Sequence, residues 1–339
     1  MLWRFWFTRG YLSEGRQWLH DALRLQAVTT ADSALARAKA LNGAGALAYY
    51  QGDYAEARHR YEQALAIYHE LGDRRGVAAL LGNVGLVVKD QGDSARATAY
   101  YQESLAAFQE LEDRRGVANA LNNLGIAAGD AGDFARAAAL HERSLALKRE
   151  LEDARGIITS LNNLGAIALD QGNYERAMAL HEESLVLARA LGHRPSSIVS
   201  LGNLGRIARE QGAHDRAIEL YAQCLTLCQA VGDKRGIAST LEGLGGLARL
   251  QQRSRHAAHL YGLAEAIREA IGAPRPPSED RGAAYDRDRE ATRAALGDDG
   301  FARAWAEGRA LSPEQALSQV VDSALAGGGR VVDDTDGPG

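Results

Sequence analysis

The chain has 339 residues, 46% of them apolar, and a formal net charge of -5. That apolar share excludes global disorder, and the acidic balance excludes the basic stripe that non-specific nucleic-acid binding needs. Two cysteines cannot build a secreted disulfide framework, which points to a reducing, cytoplasmic setting.

Residues 1–32 come first and form part of a repeat. Met1-Leu-Trp-Arg-Phe-Trp-Phe is apolar, but Arg4 interrupts it and no small-residue cleavage site follows. It therefore reads as the end of a helix and not as a signal peptide. No run in the chain reaches the roughly 18 apolar residues of a membrane span. Residues 10–23 read as a second helix, with Gly15 in a small-residue slot and Ala22-Leu23 at its end. Trp3, Phe5, Trp6, Phe7 and Trp18 are large groups that a terminal unit would leave exposed. Capping units are normally polar outside, so this end predicts either a segment upstream or a docked partner.

Residues 33–272 hold six units of constant length. Leucine recurs at 41, 81, 121, 161, 201 and 241, and glycine at 45, 85, 125, 165, 205 and 245. Alanine recurs at 57, 97, 137, 177, 217 and 257, and the tetrapeptide Asn-Asn-Leu-Gly stands at both 122–125 and 162–165. A fixed period of this kind marks a repeat array whose units bury their apolar faces only against each other.

Within residues 153–191, Asp153 is placed to cap a helix. Ile157, Ile158, Leu161, Leu164, Ile167 and Ala168 then make a stripe with helical spacing. Gly172 is placed for positive φ after the helix end. A second helix follows with Tyr174, Ala177, Leu180, His181, Ser184, Leu185, Leu187 and Ala188 on its stripe. Turns this short make consecutive helices antiparallel neighbours. Gly165 and Ala177 lie on the facing stripes, where small side chains let the backbones approach. A glycine inside a helix costs about 1 kcal/mol relative to alanine, so its recurrence implies a larger packing gain.

Residues 273–326 predict a helical cap. Gly272-Ala-Pro-Arg-Pro-Pro is a stop, and Ser278 to Leu296 reads as a helix with Tyr285 and Ala291 as contacts. A short helix carries Phe301, Trp305 and Leu311. Ser312-Pro313 then opens a helix to about Ala326. Residues 327–339 are glycine-rich and acidic and read as a disordered tail.

These units resemble the tetratricopeptide repeat in a forty-residue variant. The match rests on Leu161, Leu164-Gly165, Gly172-Asn173-Tyr174, Ala177, His181 and Ser184-Leu185, and equally on Gly52-Asp53-Tyr54, Ala57, Tyr61 and Ala64-Leu65. The resemblance implies an all-α, right-handed superhelical solenoid of antiparallel helix pairs. It also implies that first helices line a concave groove. The runs at residues 2–6 and 10–19, and Phe301 to Ser312, resemble the flanks of the helical sensor region in bacterial LuxR-type signal-transduction ATPase regulators. No phosphate-cradling Gly-x-x-x-x-Gly-Lys-Ser/Thr loop exists in the chain, so ATPase activity is not carried over. An upstream NTPase module is an implied partner.

The strongest functional signal is a double column of asparagines. Asn83, Asn123, Asn163 and Asn203 share one slot, and Asn42, Asn122 and Asn162 share the slot before it. A carboxamide both donates and accepts, so a column of them suits an extended peptide backbone. Internal hydrogen bonding is the competing reading, favoured for the 83/123/163/203 column, while the 42/122/162 column is expected to face the groove. Asp90, Asp130, Asp170 and Glu210 form an acidic row at first-helix ends, where they oppose the macrodipole. They read as a solvated edge or as an attraction for basic peptide. Arg206 and Arg209 turn the fifth unit basic. Arg96, Arg136, Arg176 and Arg216 recur on second helices and read as solvated or paired.

Cys224 and Cys228 are too few for a zinc site and read as packing, as do His141 and His181 in a slot otherwise held by Tyr61 and Tyr101. No spacing specifies catalysis, and no cofactor or metal is expected. The sequence thus predicts a non-enzymatic scaffold that binds a protein or peptide, with small-molecule sensing as the alternative.

Overall fold

The computed structural model describes residues 3, 5–6, 11–25, 30–271, 279–312 and 315. Two compact units divide the chain, Met1–His193 and Arg194–Gly339. The first unit carries α1 (Leu12–Leu25), α2 (Ala31–Tyr50), α3 (Tyr54–Glu70), α4 (Arg74–Asp90) and α5 (Ser94–Glu110). It continues with α6 (Arg114–Asp130), α7 (Phe134–Glu150), α8 (Ala154–Asp170) and α9 (Tyr174–Ala190). The second carries α10 (Arg194–Glu210), α11 (His214–Val231), α12 (Lys234–Leu250), α13 (Ser254–Ala270) and α14 (Glu279–Arg309). Among the described residues every element is a helix, and the fold is an all-α repeat solenoid.

The turns explain why the helices start and stop where they do. Asp153 accepts from the Gly156 N–H at 3.1 Å, and Asp113 accepts from the Gly116 N–H at 3.0 Å. Such a cap satisfies a backbone donor that the helix leaves unpaired and contributes about 1 kcal/mol. Ala213 and Arg253 replace the capping residue of α11 and α13, and neither helix has a side-chain cap. Gly172 takes φ 72°, as its position between α8 and α9 requires. At the other turn of the repeat, Glu112 and Glu152 hold left-handed backbone that Gly72 and Gly192 hold elsewhere. Where the sixth repeat lacks its turn glycine, Gln252 adopts φ 62°.

Within each unit a helix packs on the helices before and after it, and first helices of adjacent repeats touch. The core of the first unit includes Leu41, Tyr61, Leu80, Tyr101 and Leu124. The recurring glycine has a more specific role than close backbone approach. A Cβ on Gly45 would lie 2.6 Å from the Tyr61 ring, and one on Gly125 would lie 2.7 Å from the His141 ring. The space belongs to an aromatic or imidazole ring from the second helix of the same repeat.

At the N-terminal side α2 begins at Ala31, behind a capping box made by Thr30 and Ser33. Trp18 is 62% exposed and Phe5 54%. Trp3 and Trp6 are half-buried, their rings against the spaces at Gly43 and Gly15. Phe7 lies outside the described residues. At the C-terminal side α14 contains a break at Gly297 (φ 68°, ψ 164°), so residues 279–296 and 298–309 are separate rods. Phe301 and Ala304 pack on Ala258, with Trp305 beside them. The Ser312 N–H donates to Gln315 Oε1 and the Gln315 N–H donates to Ser312 Oγ, a reciprocal cap. The rest of the expected 312–326 helix and the 327–339 tail lie outside the described residues.

Candidate partner-binding face

The two asparagine columns are one ladder. In two rungs of the first unit the second asparagine of a first helix donates to the first asparagine of the preceding first helix. Asn83 Nδ2 donates to Asn42 Oδ1 at 2.9 Å, and Asn163 Nδ2 donates to Asn122 Oδ1 at 3.0 Å. The bonds therefore run between repeats and not within one. Asn122 and Asn162, expected to face the groove, are instead buried, while Asn42 of the same column is half-buried. Asn122 and Asn162 are each 8% exposed, whereas Asn83, Asn123, Asn163 and Asn203 are half-buried. Asn162 Oδ1 further lies 3.1 Å from His181 Nδ1.

Asn123 stands apart. Its rung needs an asparagine at position 82, and that position is glycine. A Cβ on Gly82 would come 3.5 Å from Asn123 Nδ2, which shows how near the missing partner would stand. Among the described residues Asn123 makes no side-chain hydrogen bond, so its full donor and acceptor capacity is available. Asn83 and Asn163 flank it on α4 and α8.

The acidic row is tied by the same step from one repeat to the next. Tyr49 Oη donates to Asp90 Oδ2 at 2.7 Å, and Lys89 Nζ donates to Asp130 Oδ2 at 3.1 Å. Lys89 also pairs with Asp90 at 3.1 Å. Burial pulls Lys89 down, but Asp130 and Asp90 outweigh it and the ammonium is held above its ordinary range. Burial, reinforced by Asp90, keeps the Tyr49 hydroxyl protonated far above pH 10. Asp130 and Asp170 remain exposed, although each has an interaction in the fold.

The basic end of the predicted face is not open. Arg209 is only 13% exposed and pairs with Glu210 at 2.6 Å and with Asp288 of α14 at 3.7 Å. Arg249 reaches the same Asp288 carboxylate at 2.7 Å. Sequence reasoning missed Arg249 and Asp288, because nothing in the spacing says that α14 turns this carboxylate onto α12. Arg206 is half-buried and also engaged. On the second helices Arg96, Arg136, Arg176 and Arg216 are exposed, with Arg176 paired to Glu142 and Arg216 to Glu219.

A polar seam hides between α7 and α8. Lys148 is 3% exposed, and its Nζ donates to Ser160 Oγ at 2.9 Å. Ser144 Oγ donates to the Ala118 carbonyl at 2.8 Å. Burial pulls the Lys148 ammonium down to about 8. Burial first, and Lys148 second, push the His141 imidazole down to about 4. Cys224 occupies the same slot as Ser144 and makes the equivalent contact to the Ile198 carbonyl at 3.5 Å. Among the described residues no group of three or more His, Cys, Asp or Glu side chains could hold a metal ion. No described helix is long and apolar enough to cross a membrane.

Tetratricopeptide-repeat family profiles match residues 76–150 and 156–230 and, separately, residues 37–71. The chain belongs to the tetratricopeptide-repeat family, a fold that generally serves as a non-catalytic protein-interaction scaffold. Among solved structures it is similar to a Rap protein complexed with Competence and Sporulation Factor. That match has 14% identity over 86% of this chain and 76% of that one, with a TM-score of 0.61. Aspartyl phosphate phosphatase F from Bacillus subtilis gives 14% identity, 83% and 72% coverage and a TM-score of 0.61. BtubC (BKLC) from P. vanneervenii gives 19% identity, 66% and 91% coverage and a TM-score of 0.51. These likenesses establish the fold. No curated protein matches the sequence.

Proposed function

We propose that the chain binds an extended segment of a partner protein along its first helices, with Asn123 as the central reading group and Asn83 and Asn163 beside it. The observation that carries this reading is the half-buried Asn123 carboxamide, left without its rung by Gly82. One such amide can donate to a peptide carbonyl and accept from a peptide N–H at once. Asn122 ties α6 to α8 through Asn163, Asn162 ties α8 to His181 of α9, and both act through these contacts. The exposed carboxylates of Asp130 and Asp170 favour a basic segment at that edge.

The test is Asn123→Ala on a partner isolated with the wild-type chain. Binding should weaken while the melting curve stays put. Asn162→Ala, by contrast, should destabilise the fold, because it strips the buried His181 of an acceptor. Full affinity in Asn123→Ala overturns the reading. The wider setting we infer is a cytoplasmic sensor region of a bacterial regulator, working with an NTPase module. Its support is the likeness of residues 2–19 and 301–312 to such regulators.

A second reading, small-molecule sensing, is favoured by a cavity of about 390 Å³ lined by Ser13, Arg16, His20, Gln51, Glu56 and Arg60. Metabolites that raise the melting temperature in proportion to concentration, with the effect lost in Arg60→Ala, would establish it. A screen without such a metabolite overturns it.

A further inference from the structure

The contact between α14 and the face made by α10 and α12 is unlike the other packing in the second unit. Arg209 and Arg249 come from two different first helices, yet they converge on a single carboxylate, Asp288. They meet across Gly246. A Cβ there would run into the Arg209 guanidinium and would lie 2.9 Å from Asp288 Oδ2. One turn earlier on α14, the Tyr285 ring stands edge-on to Tyr261, with centroids 5.1 Å apart. Tyrosine and aspartate at i and i+3 share one face of a helix, so α14 presents an aromatic ring and a carboxylate to a matched receiving surface.

The two rods of α14 are held differently. The 298–309 rod is in backbone contact with α13: a Cβ on Gly262 would strike the Trp305 carbonyl, and one on Gly308 would strike the His259 backbone. It is stapled further by Trp305 Nε1 donating to Glu265 at 2.9 Å and by the pairing of Arg309 with Glu269 at 2.6 Å. Among the described side chains of the 279–296 rod, Asp288 supplies the ion pairs to α10 and α12. Gly297, in left-handed backbone, separates the two. The break at Gly297 thus leaves each rod held by its own set of contacts.

We propose that the face made by α10, α12 and the Tyr261 edge of α13 is a receptor for an amphipathic helix bearing an aromatic residue and a carboxylate one turn apart, and that the 279–296 rod fills it from within the chain. The occupant of the open state is a partner helix of that pattern, argued from the chain's own segment seated there and from its complementary charge. The reading adds a second, regulated face to the protein-binding array and does not depend on Asn123. Because the receptor is filled internally, an outside helix sees only the fraction of molecules with the rod displaced, and its apparent affinity falls by that fraction.

The experiment uses a fluorescently labelled peptide of residues 279–296 as probe, titrated into the full chain and read by polarisation. Asp288→Asn weakens the internal competitor and should bind the peptide at least about tenfold more tightly than the wild type. Adding Arg249→Ala to that variant should abolish the gain, and a peptide with asparagine in the aspartate position should bind neither chain. Tyr285→Ala, which loosens the rod through its other contact, must give the same ordering as Asp288→Asn. The proposal is overturned by equal binding to wild type and both loosened chains, by no binding to any of them, or by a gain that survives Arg249→Ala. Asn123→Ala should leave every one of these titrations unchanged, so failure here is separable from failure of the Asn123 reading.

Discussion

A Cβ on Gly165 would sit 2.6 Å from Nε2 of His181, so the imidazole of α9 occupies the room that the glycine of α8 leaves open. The ring is fully buried, and its Nδ1 lies 3.1 Å from Asn162 Oδ1, which prevents it from moving aside. Gly165→Leu should lower the melting temperature, by overpacking of about 1–3 kcal/mol or more. His181→Ala in the same chain should recover part of the loss, because the ring is what the new side chain strikes. A thermal melt of the single and double variants checks both, and a Gly165→Leu chain that melts like the wild type rules the packing out.

The recurrence of glycine, alanine and leucine made the helix pairs and their order legible, since only a repeat array keeps such a register. The glycine signal was less specific than its meaning: the sequence marks a small residue, but not whether a backbone or a ring fills the gap. Asparagine burial was harder still. Asn122 and Asn123 are adjacent in sequence and differ by about 100° around the helix. Which one turns inward depends on the roll of α6 against its neighbours, and no single repeat encodes that. The convergence of Arg209 and Arg249 on Asp288 was not legible, because it joins three helices across more than one repeat.

The missing caps give a simple gain. Ala213 stands at the N-cap of α11 without a side-chain cap, while Asp133 accepts from the Arg136 N–H at the same place in α7. Ala213→Asp should stabilise the fold by about 1 kcal/mol, seen as a rise in melting temperature. No rise would mean that the backbone at 213 cannot present the carboxylate.

The His141 imidazole is held down at about 4 from an ordinary 6.5, by burial and then by Lys148. The unfolded chain therefore binds more protons between those two values. The contribution of neutral His141 is fully present above pH 6.5 and is lost as pH falls through 4. Tyrosine fills the same slot opposite glycine at Tyr101 and Tyr221. His141→Tyr should remove this loss, so its stability advantage over wild type should widen from pH 7 to pH 4. Denaturant midpoints that fall in parallel would contradict it.

Lys148 works in the alkaline range. Its ammonium is pulled down to about 8 from 10.5 by burial, so between those values the unfolded chain holds the proton that the fold has released. Stability from this residue rises with pH across that window, and below it the fold carries the full cost of a buried charge, on the order of 3 kcal/mol. Lys148→Met should be more stable than wild type at pH 7, with an advantage that shrinks toward pH 10.5. Urea midpoints across pH 7 to 10.5 test this, and a constant difference would contradict it.

The most direct test of the binding face needs no prior partner. Peptides selected from a random library on the purified chain can be titrated into wild type and into Asn123→Ala. The account predicts a dissociation constant about tenfold weaker in the variant, equivalent to about 1.4 kcal/mol, with melting temperature unchanged. Equal dissociation constants for the two chains would contradict it.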